Sequence, residues 1–380
     1  MTNPAKSGRG LKRLLNLATL RRRKKPPVGV TPADVVHREN KWRLLRYEPR
    51  PTGNAYSTPI LMIPSLINRH YVLDLTPGKS LVEWLVAQGH PVFMIDWGTP
   101  GPEDRYLTFD DICDGYIGRA LRIAAASSPR GQAHVLGYCL GGTLAAIHGA
   151  ARPERMASLL ALAAPVSFGD DCMLEAWTRS PGFDVDAVVD ATGNVPWRLL
   201  QASFHMLRPT LTLSKLVTVL DRAWDDRFLD GFAAIETWGS DNVSFPGEAY
   251  RRYIKELYQG NRLITGDFVL SDTPVDLANI RCPTLAITFE HDSIVPADSA
   301  GVLIEAVGAE DKQRIHLRGG HVGAVVSRSA AKSLWPTMSA WWSARDTGAS
   351  HQVTSSNESK GTVATPASSA QAASLESRTA

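Results

Sequence analysis

Short apolar runs punctuate the middle of this chain at residues 60–63, 91–95, 133–137, 158–163, 284–289 and 314–317. Each is too short for a buried helix and is bounded by turn-forming residues, so each reads as a strand buried on both faces. Helical patterning over 80–88, 109–126 and 143–151 fills gaps between them. Strands alternating with helices predict an α/β fold with a mostly parallel sheet covered on both sides. Residues 35–47 also look strand-like but carry interspersed Arg and Glu, which suits an edge hairpin. The rhythm breaks over 166–277, a stretch rich in Trp, Phe, Met and Arg that reads as helical and contains no clear strand. We read it as a helical cap inserted between two parts of the core, 28–165 and 278–345. Residues 346–380 are rich in Ser, Thr, Ala and Gln and cannot bury enough apolar surface to fold, so a disordered tail is expected there. No internal repeat is visible.

The first 27 residues form a distinct arm. Leu11, Leu14, Leu15 and Ala18 recur at helical spacing among Lys12, Arg13 and Arg21. That pattern makes either an amphipathic basic helix for a membrane, a lipid-coated particle or an acidic partner, or a disordered solubilising arm. Residues 1–25 hold nine Lys or Arg and no acid against a chain total of +3, so the rest carries −6. A basic arm on a mildly acidic body does not point to nucleic acid. At 380 residues, 44% hydrophobic and 21% charged, the composition is that of an ordinary globular protein with a large core. The four cysteines, Cys113, Cys139, Cys172 and Cys282, form no CxxC pair and suggest neither a zinc site nor a disulfide framework. No apolar run approaches the ~20 residues of a membrane-spanning helix, and the arm lacks a secretory signal pattern. The cytoplasm is the expected location.

Candidate chemistry centres on Gly137-Tyr138-Cys139-Leu140-Gly141-Gly142, which lies between a strand-like and a helix-like stretch. Strand, sharp turn and helix with a glycine-flanked nucleophile is the layout of a nucleophile elbow, and here the nucleophile is cysteine. Cys139 on its own is equally a small buried hydrophobe. A thiol nucleophile needs a base, and the base needs an orienting group. In α/β-hydrolase sheets the order along the chain is nucleophile, acid, histidine. Two downstream loops fit. Glu290-His291-Asp292 follows the strand at 284–289, and Gly319-Gly320-His321 follows the one at 314–317. Asp292 is the expected acid, with Glu290 and His291 as competitors, and His321 is the expected base. Asp292 as a simple turn cap is the bland alternative. His134, His148 and His316 lie within strands or helices and read as structural. The oxyanion of an acyl-transfer intermediate would meet the N–H of Leu140 and that of Ile67, in the loop after the first central strand.

These residues, with PSLINRHYVLDLTP at 64–77, FMIDWGTP at 93–100, Trp238-Gly239-Ser240-Asp241 and Pro246-Gly247, resemble the polyhydroxyalkanoate synthases, closest to the class III catalytic subunits. The resemblance runs over residues 30–345 and omits the arm and the tail. It implies an α/β-hydrolase fold with a mobile cap and a polymerase acting on (R)-3-hydroxyacyl-CoA with release of CoA. By motif, Cys139 holds the chain as a thioester and His321 deprotonates the thiol. Asp292 orients His321 or helps activate the incoming 3-hydroxyl, and Asp96-Trp97 is structural. It further implies a homodimer, a polymer-granule surface and, for class III, a second non-catalytic subunit. No cofactor and no metal are expected, since the CoA thioester is the substrate. Arg251 and Arg252 are candidate contacts for CoA phosphates. The competing readings are a cysteine hydrolase cleaving thioesters or polyesters on the same fold, and a non-catalytic granule-binding subunit.

Overall fold

The computed structural model describes residues 4–49, 55–169, 172–207 and 211–346. Ten strands run in chain order as β1 (Asp34–Glu39), β2 (Trp42–Tyr47), β3 (Ile60–Ile63), β4 (Val92–Asp96), β5 (Ala133–Tyr138), β6 (Met156–Leu162), β7 (Val269–Leu270), β8 (Thr273–Pro274), β9 (Thr284–Phe289) and β10 (Lys312–Leu317). Eight of them form one sheet in the order β1-β2-β4-β3-β5-β6-β9-β10. β1 and β2 are an antiparallel hairpin, β2 joins β4 antiparallel, and every pairing beyond is parallel.

The unbroken apolar runs have their physical reason in two separate cores. Leu61, Ile63, Phe93, Ile95 and Val135 point into one cluster, and Ile60, Met62, Val92, Met94 and Leu136 point into the other. Successive side chains alternate across the sheet, so a strand covered on both faces has no polar positions left to place. The β1–β2 edge is covered less, and its Arg38, Glu39 and Arg46 reach solvent or charged partners.

Ten helices bear on the argument: α1 (Pro4–Thr19), α2 (Leu81–Ala87), α3 (Ile117–Ala126), α4 (Leu140–Ala151), α5 (Met173–Thr178), α6 (Val185–Thr192), α7 (Trp197–Met206), α8 (Leu211–Arg222), α9 (Asp226–Ser240) and α10 (Gly247–Arg252). The helix expected over 109–126 is a π-helical turn, Asp111–Tyr116, running into α3. The one expected from 143 starts at Leu140, directly after Cys139. α5 to α10 fill the interval between β6 and β9. That interval does contain strand: β7 and β8 pair in a tight hairpin whose Ser271 and Asp272 both take positive φ. Two-residue strands are below the length at which alternation is readable, which is why the sequence pattern missed them.

The arm is helical over α1, so the disordered alternative does not hold for its described part. Asp346, the first residue of the expected tail, is buried and accepts hydrogen bonds from the Ser57 N–H, 2.8 Å, and from the Ser57 and Thr58 hydroxyls. Residues 347–380 lie outside the described residues. His134 and His316 sit in β5 and β10 and His148 in α4, each bonded to a neighbouring hydroxyl or carbonyl.

Candidate active site

Three loops at the carboxyl ends of β5, β9 and β10 converge, where open α/β sheets place their reactive groups. β5 ends in Tyr138, and Cys139 takes φ 54° and ψ −131°, a conformation disfavoured for any side chain other than glycine's. Such strain costs on the order of 1–3 kcal/mol and persists only where surroundings enforce it. Here the Cys139 N–H is tied to the Leu162 carbonyl at 3.0 Å, and the Gly142 N–H to the Cys139 carbonyl at 2.8 Å. α4 then departs with almost every residue buried. A Cβ on Gly141 would overlap the Ile63 carbonyl oxygen, and one on Gly142 the Ala164 methyl. The glycines thus let α4 press against the end of β3, which sets the loop after β3 beside the thiol.

Asp292 lies just past β9. Its side chain is fully buried; one carboxylate oxygen accepts from the Ile294 and Val295 N–H groups at 2.9 Å each, and the other is 2.7 Å from His321 Nδ1. Both oxygens are therefore committed. With Nδ1 turned to Asp292, the other nitrogen of the His321 ring is left for Cys139, which is near enough to act on the ring's charge. The competing acids turn away: Glu290 pairs with Arg318 at 3.2 Å, and His291 is largely exposed.

Burial opposes charge on the His321 ring, but Cys139 and the Asp292 carboxylate more than offset it, pushing the imidazole up to about 10. The raised imidazole sits beside Cys139, where it can exchange a proton with the thiol, the step that makes a cysteine nucleophilic. Tyr138 braces the ring: the two stack at 5.3 Å, and its hydroxyl donates to the His321 carbonyl at 3.2 Å.

Leu140 is the first residue of α4, and first-turn amides have no partner within a helix. Ile67 is buried in the loop after β3, and its N–H makes only a long 3.4 Å contact to the Ser65 hydroxyl. Trp97 fixes the start of that loop, donating from Nε1 to the Pro64 carbonyl at 3.0 Å. Asp96 accepts from Arg43 and the Gly98 N–H and lies 3.1 Å from His70. Burial is outweighed by the bonds from His70, Arg43 and the Gly98 N–H, which hold it well below the usual carboxylate range.

The end of α9 and the segment after it clasp the same loop. Trp238 Nε1 donates to the Arg69 carbonyl at 2.9 Å, Asp241 accepts from Arg69 Nε at 3.2 Å and from the Tyr71 hydroxyl at 2.8 Å, and the Val243 N–H reaches the Ile67 carbonyl at 3.3 Å. Asn68 bonds Asn242 side chain to side chain. Tyr253 and Tyr258, in a π-helical turn beyond α10, come close enough to feel the charge of Cys139, which adds to burial in raising both phenols. Sequence reasoning did not find Tyr138, Tyr253 or Tyr258. Only the adjacency of Tyr138 to Cys139 offered a signal.

Arg251 and Arg252 are not available for phosphates in this structure. Arg251 is held by Asp186, Asp190 and Glu248, and Arg252 by Asp110, Glu256 and the Val269 carbonyl. Among the described residues no group of His, Cys, Asp and Glu side chains is arranged to hold a metal.

Comparison with known proteins agrees with the geometry. Residues 26–85 match the family described as the poly-beta-hydroxybutyrate polymerase (PhaC) N-terminus, and residues 58–323 match the alpha/beta hydrolase fold. The chain is 36% identical to the poly(3-hydroxyalkanoate) polymerase subunit PhaC of Haloferax mediterranei, covering 87% of this chain and 68% of that one. It is 35% identical to the PhaC subunit of Allochromatium vinosum, covering 90% and 94%. Among solved structures, MenH from S. aureus superposes with a TM-score of 0.52 at 13% identity, covering 81% of this chain and 99% of its own. A thermophilic esterase from Thermogutta terrifontis gives 0.50 at 13% identity, covering 83% and 98%. Those two likenesses establish the fold alone. A cysteine elbow on an α/β-hydrolase sheet, with relatives aligned over nearly the whole chain, makes this protein a member of the PhaC family of poly(3-hydroxyalkanoate) polymerase subunits.

Proposed function

We propose that this chain polymerises (R)-3-hydroxyacyl-CoA, with 3-hydroxybutyryl-CoA as the expected monomer, into polyhydroxyalkanoate with release of CoA, through a thioester on Cys139. The observation that carries the reading is Asp292 held 2.7 Å from His321 Nδ1, with the imidazole beside Cys139 at the elbow. In the first half-reaction the Cys139 thiolate attacks the thioester carbonyl. The negative charge moves to the carbonyl oxygen, facing the N–H groups of Leu140 and Ile67. Collapse breaks the carbon–sulfur bond to CoA, whose thiolate takes the proton held on His321. One thioester replaces another, so the acyl group stays activated. In the second half-reaction a 3-hydroxyl attacks an acyl thioester, His321 accepts the hydroxyl proton, an ester bond forms and a cysteine thiolate leaves.

Of the two roles expected of Asp292, orienting His321 is the better supported, because neither of its oxygens is free for a substrate hydroxyl. The buried phenols of Tyr253 and Tyr258 near Cys139 support water exclusion, which polymerisation needs because water competes with the hydroxyl. In this reading no cofactor takes part. The protein works in the cytoplasm at the surface of a growing polymer granule, as a homodimer, alone or with a second non-catalytic subunit. The test is the product. Purified protein with 3-hydroxybutyryl-CoA should yield insoluble polyester and free CoA, with and without any partner subunit added, and Cys139→Ala should yield neither. Soluble 3-hydroxybutyrate as the main product would replace this reading with a cysteine hydrolase.

A further inference from the structure

α1 docks the wrong way round for an amphipathic helix. Its contact with the rest of the molecule is made by polar side chains. Arg9 lies over the Trp224 ring at 4.5 Å, Lys12 pairs with Asp226 at 2.8 Å, and Asn16 donates to the Ala223 carbonyl at 2.7 Å and to Asp226 at 3.0 Å. Arg23, just beyond, reaches Asp226 and Asp230. The apolar stripe is left facing outward, with Leu11, Leu14 and Leu15 at 63%, 68% and 58% exposure. A helix normally buries that stripe against its neighbour.

α8, which touches α1, repeats the arrangement. Leu213, Leu216, Val217 and Leu220 follow helical spacing and are all exposed. Two adjoining helices thus each leave an apolar stripe exposed, together more than scattered surface leucines account for. Arg13, Arg22, Lys24 and Lys25 lie on or just past α1, are exposed and make no ion pair among the described residues. Lys12 and Arg23 are neutralised by Asp226 and Asp230 and Arg9 is taken up by the Trp224 ring, whereas these four meet no acid among the described residues.

We propose that the α1–α8 face is a docking surface for an anionic lipid layer, with the leucines entering the acyl region and the four cations meeting the headgroups. Apolar residues rimmed by unpaired lysine and arginine fit such a boundary, whereas an uncharged polyester would leave the cations without a counterpart. A second copy docking symmetrically on this face would set one basic rim against the other. The inference does not depend on the chemistry at Cys139.

Flotation with phosphatidylcholine vesicles, with and without phosphatidylglycerol, tests it on the full chain. Binding is expected to the phosphatidylglycerol vesicles only and should weaken as salt is raised. Leu14→Asp with Leu216→Asp should lower the partition by at least about 10-fold. Arg13→Glu with Lys25→Glu should lower it by about 5-fold per cation. Unchanged CoA release and circular dichroism show that these surface variants are folded. No binding to anionic vesicles overturns the proposal, as does equal binding by the variants or salt-independent binding to polyester particles alone. Sedimentation showing that Leu14→Asp dissociates a dimer, with no vesicle binding by the parent, overturns it in favour of a contact between copies.

Discussion

Asp292→Asn is the most informative single change. The substitution is isosteric, so the side-chain oxygen facing the Ile294 and Val295 amides keeps both bonds, 2.9 Å each. The amide NH2 then faces His321 Nδ1, where a carboxylate oxygen had stood at 2.7 Å. Donor meets donor, and the ring responds by taking the tautomer with its proton on Nε2. That nitrogen faces Cys139 and now holds a hydrogen where it should accept one. The lost bond is charge-assisted and buried, worth about 1.5–3 kcal/mol. Without it the imidazole drops from its raised position near 10. The sign follows from the direction of the perturbation. His321 is raised by its partners, so removing one lets it lose its proton at lower pH. Loss of a correctly poised base lowers kcat by ~10²–10⁴-fold. Two assays report independently: CoA release from 3-hydroxybutyryl-CoA, and the rate of Cys139 alkylation by iodoacetamide across neutral and alkaline pH. The alkaline limb of both should move down together. A variant with near-parental CoA release and an unshifted alkylation profile would refute the role given to Asp292.

Other expectations follow from the clasp and from the buried imidazoles. Asp241→Ala removes the acceptor for Arg69 and Tyr71; Asp241 is partly exposed, so the loosening amounts to roughly 1–2 kcal/mol, seen as a ~10-fold lower kcat and faster alkylation of Cys139. Unchanged alkylation would show that the clasp does not govern access. His90 and His134 are buried beside Ser339 and Ser158, and burial pushes each down to about 4. Between an unfolded value near 6.5 and that folded value the unfolded chain binds more protons, so stability is complete above about 6.5 and declines as pH falls toward 4, by up to about 3 kcal/mol per histidine. Urea midpoints should therefore drop below neutral pH, and should do so less in His134→Gln; a flat profile would contradict the assignment.

Much of this architecture was readable because parallel strands buried on both faces leave unmistakable apolar runs. Ile60–Ile63 and Thr284–Phe289 match their expected limits to the residue. The three residues brought together were readable for a related reason: Cys139 follows β5 directly, Asp292 and His321 lie within four residues of the ends of β9 and β10, and glycines mark the loops of Cys139 and His321. What escaped was decided by partners far away in sequence. Nothing local tells Arg251 and Arg252 that Asp186 and Asp110 will occupy them. The arm at 11–18 has a clean helical stripe, yet Asp226 and Trp224 decide which side of it faces inward. Tyr253 and Tyr258, more than a hundred residues further along, come near Cys139 through the fold and not through any local signal.

Asp346 closes the described fold by gripping residues 57 and 58, just before β3 begins. It therefore stands at the amino ends of the parallel strands, whereas Cys139, Asp292 and His321 occupy the carboxyl ends. A reporter or second enzyme grafted after this point would begin its path on the far side from where monomers enter. For anyone wishing to decorate a polyester-making catalyst, that anchor marks a natural junction.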